Sequence, residues 1–278
     1  MYLIITSAED VASMNIRDKL LAMAEWKVVG EFEAEPVLTH GPFDMILIKD
    51  IHLGREYLDR DVERETGKRY DCLIFASRHR SESGLRTLTV HALGNYGSAD
   101  YGGQSGKLVP THPRLMTKAL LLLGKYGAGL DFGISFETTH HGPFLETPTF
   151  FIEIGSGPDA WPEPEPAKAI ARVILDLDRE TLTGSDAIGI GFGGGHYAPR
   201  HTDVVQRMRI SMGHMAPDHA IGHIDAAMLD RMLERTPSAT VAYFHKKAVK
   251  QPRRDELFGM LAERGIRVVR SADLEPRV

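Results

Sequence analysis

The chain has 278 residues, 42% hydrophobic and 26% charged, with a formal net charge of −5, which suits a globular protein able to bury a large core. That acidic balance argues against a general polyanion binder. The single cysteine excludes an intramolecular disulfide and a thiolate-rich zinc site, and no apolar run approaches the length of a membrane span.

The N-terminus enters an apolar run at once, without a basic leader or a small-residue cleavage site, so a cytoplasmic address is expected. Tyr2 to Thr6 reads as a strand. A helix from Glu9 to Met23 follows on apolar Val11, Met14, Leu20 and Leu21, with Ser7 as its expected N-cap. Trp26 to Phe32 alternates as a strand, and Phe43 to Lys49 is a clearer one. The charged stretch Arg55 to Arg69 predicts an exposed helix closed by Gly67. Asp71 to Ser77 is almost continuously apolar, as in a strand covered on both faces, which makes Cys72 a buried small hydrophobe.

A strand over Leu88 to His91 leads into a glycine-rich loop, Gly94 to Gly106. Leu115 to Tyr126 is helical, with Pro113 near its start and Gly127 as its stop. Strands Ile134 to Thr138 and Thr149 to Ile154 flank the turn His140-His-Gly-Pro143. Pro162, Pro164 and Pro166 are expected to delay the next helix to Ala167 to Arg179. Then come strand Ala187 to Phe192, helix Thr202 to Met208, strand-like Ile210 to His214 and helix Asp225 to Arg235. Strand Thr240 to Phe244, helix Arg254 to Glu263 and strand Ile266 to Arg270 close the chain. Alternating strands and helices with no linker between them predict an α/β layer fold, largely parallel, in one domain spanning 1–278. His40-Gly-Pro-Phe43 recurs as His141-Gly-Pro-Phe144, a match too short to argue for a repeat.

The chemistry gathers at predicted strand exits, where open α/β sheets build their sites. His91, the His140–His141 pair, His196 and His214 each follow such a segment. With no thiolate to spare, any metal must be held by imidazole and carboxylate, the donor set of catalytic sites. Glu153 stands in the apolar strand Phe150-Phe-Ile-Glu-Ile154, where a carboxylate is costly unless paired or metal-bound. The run Gly189-Ile-Gly-Phe-Gly-Gly-Gly-His196 lacks the third glycine of the dinucleotide fingerprint, and no Gly-Lys-Ser/Thr follows it. Its amides are therefore assigned to an oxyanion beside a metal rather than to phosphates. His219 and His223 are four apart, but Gly222 and Pro217 spoil a ligand-bearing helix there. No Gly-x-Ser-x-Gly elbow exists, so metal-assisted attack by water ranks above a covalent route.

Thr89-Val-His-Ala-Leu-Gly-Asn95, Thr139-His-His-Gly-Pro143, Glu153-Ile-Gly-Ser156, Gly193-Gly-Gly-His-Tyr-Ala-Pro-Arg-His201 and Gly213-His214 together resemble the archaeal and plant type of D-aminoacyl-tRNA deacylase, and Tyr101-Gly-Gly103, in the loop after Asn95, is similar too. The likeness runs to about residue 223, and no motif can be matched after about residue 235. It implies a three-layer α/β/α fold with a mixed, largely parallel sheet, related to phosphorylases and peptidyl-tRNA hydrolases. It also implies a zinc requirement and hydrolysis of the ester joining a D-amino acid to tRNA. On that reading His91, His140 and His214 are assigned to the metal, and His196, Glu153 and His141 to catalysis. Asn95, Gly194, Gly195 and Tyr197 are assigned to the substrate. The division between ligands and proton carriers is not fixed by the residues themselves. Lys246, Lys247, Lys250, Arg253 and Arg254 form the expected tRNA-binding patch of a monomer. The alternative is a zinc-dependent amidohydrolase or peptidase acting on small acylated amino acids.

Overall fold

The computed structural model describes residues 1–177, 186–245 and 247–277. Its elements form two sheets. The larger is built from β1 (Tyr2–Ser7), β2 (Lys27–Phe32), β3 (Glu35–His40), β4 (Phe43–Ile48), β5 (Cys72–Arg78), β6 (Thr87–Ala92), β7 (Gly133–Phe136) and β8 (Thr149–Gly155). These lie in the order β2-β3-β4-β1-β5-β8-β6-β7. The smaller sheet, all parallel, has β9 (Ala187–Phe192), β10 (Ile210–Ala216), β11 (Val241–Phe244) and β12 (Arg267–Val269) in the order β10-β9-β11-β12.

Helices α1 (Val11–Met23), α3 (Pro113–Tyr126) and α4 (Pro164–Asp176) cover one face of the large sheet. α2 (Leu58–Thr66) and the segments around Leu93, Val109 and Leu145 cover the other. α3 also packs on β10, so one apolar core joins the two sheets. α5 (Pro199–Arg207) lies between β7 and β10, while α6 (Ala226–Glu234) and α7 (Arg253–Glu263) close the far side of the small sheet. The layered α/β architecture and the mixed, mostly parallel pairing agree with expectation; the second sheet is new. Among the described residues no helix is long and apolar enough to cross a membrane.

Local chemistry explains where boundaries moved. α1 is capped by Asp10, not Ser7: its Oδ1 accepts from the Ser13 amide at 3.0 Å while Oδ2 accepts from the Arg78 amide at 2.9 Å. α4 starts at Pro164, earlier than expected, because prolines in a first turn forfeit only amides that have no intrahelical partner. Its expected end, Arg179, lies outside the described residues. The two His-Gly-Pro-Phe sequences have different structures. The first is the turn of the β3–β4 hairpin, with His40 opposite Phe43; the second is a loop leading into β8.

One correction decides how the site is built. β6 runs antiparallel to β8, so its carboxyl end lies at the opposite edge from those of β5 and β8. His91 therefore shares a strand exit with its parallel neighbour β7, which leads to Glu137, His140 and His141, but not with the residues of β5 and β8. It reaches them because residues paired across strands share a sheet face. Ser77 pairs with Glu153 and Glu153 with Thr89, while Phe75 pairs with Phe151 and Phe151 with His91. The site rests on that face.

Candidate active site

Five segments converge on the face shared by β5, β8 and β6. β8 contributes Glu153, 2% exposed, and β6 contributes His91, fully buried. His79 follows the end of β5, Glu137 follows β7, and His140 and His141 lie in the turn beyond it. That turn is laced to both sheets: the Glu137 amide donates to Val90 O, and the Thr139 amide to Met215 O. The Thr138 amide bonds His196 O at 2.8 Å, which draws in the glycine run after β9. The centre thus sits at the seam of the two sheets.

The histidine rings sort by what their nitrogens touch. His91 Nδ1–H donates to Ala92 O at 3.1 Å, His140 Nδ1–H to Thr138 O at 2.8 Å, and His141 Nδ1–H to Gly142 O at 2.7 Å. A carbonyl can only accept, so each bond leaves the Nε2 lone pair as the free donor atom, the arrangement in which imidazole binds metals. The available donor atoms of His91, His140 and His141 lie within 4.8 Å of one another. Nε2 of His91 is buried with no hydrogen-bond partner. His79, Glu137 and His196 form a second such group, and His91, Glu137 and Glu153 a third.

The carboxylates are the anions of this cluster. Glu137 is completely buried, yet neither oxygen has an aligned hydrogen-bond donor. It faces His196 Nε2 at 2.9 Å, His79 Nδ1 at 3.3 Å and His140 Nε2 at 3.5 Å. Glu153 accepts from Ser77 Oγ at 2.6 Å and lies 3.4 Å from His91 Nε2 and 3.6 Å from His79 Nδ1, ion-pair rather than hydrogen-bond separations. Burial works against both charges, but the surrounding imidazoles outweigh it and hold Glu137 below and Glu153 well below the usual carboxylate range. Burial also opposes a charge on His79, and the two carboxylates reverse this, pushing it up to about 9. Burial and the neighbouring imidazoles drive His140 well below the ordinary value and His141 down to about 4, so both rings are neutral.

These residues fit a divalent metal such as zinc. Of the three imidazoles with committed Nδ1 atoms, His140 and His141 are neutral, while burial opposes a charge on His91 and the facing Glu153 carboxylate raises it. Such rings beside ionised and unpartnered carboxylate oxygens are a costly arrangement that a cation relieves.

The structure brings His91, His140, His141, Glu153 and His196 together as expected. His214 is elsewhere. Both its ring nitrogens are occupied: Nε2–H donates to Val109 O at 3.0 Å, and Nδ1 accepts from Thr139 Oγ1 at 3.1 Å. A ring with no free lone pair cannot be a ligand. Gly194 cannot serve an oxyanion, because its amide donates to the Asp218 carboxylate. Gly195 is exposed, and its carbonyl accepts from the Ala198 amide. Asn95 is buried and ties the loop by donating from Nδ2 to Gly102 O at 3.0 Å. Tyr197 does reach the site, its hydroxyl 3.3 Å from His79 Nε2.

In the basic segment, Lys247 and Lys250 are exposed and Arg254 partly so, while Lys246 lies outside the described residues. Arg253 is spent on the Ile221 and Ile224 carbonyls and on Glu256.

Sequence reasoning missed His79, Glu137 and Ser77. His79 lies two residues past the apolar run of β5, so the strand-exit rule would have found it. Glu137 adjoins the threonines of the histidine turn, which was the only signal it gave.

The family model described as D-aminoacyl-tRNA deacylase matches residues 66–269. A D-aminoacyl-tRNA deacylase from Methanosarcina acetivorans is 35% identical, the match covering 99% of this chain and 93% of that one. One from Thermococcus kodakarensis is 33% identical over 97% of this chain and 100% of its own. A crystal structure of a conserved protein of unknown function superposes with a TM-score of 0.92 at 28% identity, covering 100% of this chain and 98% of that one. The likeness therefore continues past residue 235, where no motif was legible, and the chain belongs to the D-aminoacyl-tRNA deacylase family.

Proposed function

We propose that this protein hydrolyses the ester joining a D-amino acid to the 3′ end of tRNA, with zinc as cofactor, and so clears mischarged tRNA. Family membership supports the substrate class. The observation that carries the chemistry is the buried cluster in which His91, His140 and His141 each commit Nδ1 to a carbonyl and leave Nε2 free beside ionised Glu137 and Glu153.

Zinc held by His91, His140 and His141 would supply the positive charge that polarises the ester carbonyl and acidifies an attacking water. Glu153 orients His91 and His79, and Ser77 orients Glu153. His196 is the most exposed ring of the group, with 40% of its side chain accessible, so it is the one a substrate meets. With Nε2 turned to Glu137, its Nδ1 takes the proton from water and returns it to the departing ribose oxygen. Glu137 stabilises the imidazolium in between. Tyr197, backed by cationic His79, donates its hydroxyl proton in a hydrogen bond to the developing oxyanion, the role expected of the glycine amides. The reading takes the enzyme as a cytoplasmic monomer, with Lys247, Lys250 and Arg254 touching tRNA phosphates.

The test is a panel of D-aminoacyl-tRNA, L-aminoacyl-tRNA and N-acyl-D-amino acids. Selective cleavage of the D-ester is expected. Equal cleavage of D- and L-esters would sink the proofreading role, and preference for N-acyl substrates would favour a small-molecule amidohydrolase.

A further inference from the structure

Among the described residues, Tyr101 is the most exposed large hydrophobic side chain, at 74%. A lone exposed aromatic is unremarkable on a loose loop. This one stands on a loop with no slack. The Gly142 amide, directly after His141, donates to Tyr101 O at 3.2 Å. Gly102 O accepts from Asn95 Nδ2 at 3.0 Å, and the Gly103 amide donates to Glu56 Oε1 at 2.8 Å. The same Glu56 oxygen accepts from the Phe144 amide at 3.1 Å, clamping the loop to the far side of the histidine turn. Gln104 Nε2 donates to Tyr57 Oη at 3.0 Å.

The glycines beside Tyr101 leave no room for a side chain. A Cβ on Gly102 would lie 2.0 Å from Leu53 O, and one on Gly142 would lie 2.0 Å from the Gly103 amide. The backbone of Tyr101 is therefore pinned against the turn that carries His140 and His141. Its ring makes no aromatic contact among the described residues. A rigid mount one hydrogen bond from the catalytic turn, carrying an aromatic face left to solvent, is what a stacking platform for an unpaired base requires.

We propose that the Tyr101 ring stacks on the terminal base of the tRNA acceptor end, setting the ester at the histidine cluster. This rests on the proposed function for the identity of the substrate. Tyr101 is a binding residue, and stacking serves any amino acid, because the base is common to every aminoacyl-tRNA.

Two measurements test it. In steady-state hydrolysis of D-aminoacyl-tRNA, Tyr101→Ala is expected to raise KM by roughly ten- to a hundredfold, the range of base–aromatic stacking, with kcat within about twofold. Tyr101→Phe, which keeps the ring and loses the hydroxyl, restores KM. The second measurement does not need catalysis. A minihelix RNA ending in the complete acceptor sequence should bind the wild-type protein more tightly than one lacking the terminal nucleotide, and Tyr101→Ala should erase that difference. An unchanged KM in Tyr101→Ala, failure of Phe to rescue, or a binding difference that persists without the ring would each overturn the platform. If the wild-type protein discriminates the two RNAs yet hydrolyses no aminoacyl-tRNA, the proposed function fails and the platform stands.

Discussion

His214 was assigned to the metal from sequence, whereas its surroundings make it a strut; the two readings predict opposite outcomes for one substitution. Its ring bridges Val109 O and Thr139 Oγ1, and Thr139 Oγ1 in turn accepts from the Met215 amide at 3.0 Å. This network fixes the turn entering His140 against β10. In His214→Ala the Val109 carbonyl and the Thr139 hydroxyl both lose a partner in a site with no access to water, at about 1–3 kcal/mol each. The vacated ring volume adds a cavity term, so a total of about 3–5 kcal/mol is expected, against a typical stability of 5–15 kcal/mol. Urea denaturation monitored by circular dichroism gives the midpoint, and metal analysis of the folded fraction gives the zinc content. His214→Phe, which keeps the volume and loses the bonds, should lose less. We predict a large drop in midpoint with zinc per folded molecule unchanged. Loss of zinc with stability intact would refute the reasoning and return His214 to the metal.

Glu137→Gln keeps the shape but removes the anion facing His196, His79 and His140. A fall in kcat of about a hundredfold or more is expected, by analogy with the loss of an orienting carboxylate, with far-UV circular dichroism unchanged; retained kcat would exclude it from proton transfer. Burial pushes His214 down to about 3 and His201 down to about 4. As pH falls below about 6.5 the unfolded chain therefore binds protons first, and the stability held above that value is lost progressively towards pH 4. Between pH 7.5 and 4.5 each ring should account for roughly 2–3 kcal/mol, and a flat denaturation midpoint over that window would contradict their neutral burial. Reversing Lys247, Lys250 and Arg254 should raise KM for charged tRNA and flatten its salt dependence by about one unit of log–log slope for each phosphate no longer neutralised. If neither changes, the segment is only a solvated face.

The sheet was legible because its central strands bury both faces: Cys72 to Ala76 and Phe150 to Ile154 cannot be read otherwise. β3 was not, since Glu35-Pro-Val-Leu-Thr-His40 carries a proline and polar ends and forms only as the middle of a hairpin meander. The helix starts were misjudged where a side chain outside the pattern decided them, as at Asp10. Within the site, the histidines were found by type and position. Sorting them needed the second nitrogen of each ring, and a sequence does not say whether Nδ1 meets a carbonyl, as in His141, or both nitrogens are consumed, as in His214. The strand-exit rule places His91 beside the exit of parallel β7, and so near His140 and His141, but not beside Glu153, since β6 is antiparallel to β8; face-sharing across that pair brings the two together. Glu137 escaped notice because a glutamate among Ser, Phe and Thr looks like a strand edge until the imidazoles close around it.

Everything proposed for the chemistry depends on the buried His–Glu cluster being a zinc-dependent ester hydrolase centre. Its most direct test is the rate of D-aminoacyl-tRNA hydrolysis by chelator-stripped protein, before and after zinc is returned in stoichiometric amount, alongside protein carrying His141→Ala. Stripping is expected to abolish hydrolysis and zinc to restore it in the wild type, while His141→Ala should neither retain zinc nor regain activity. Full activity in stripped wild-type protein, with zinc content verified as negligible, would contradict a zinc centre.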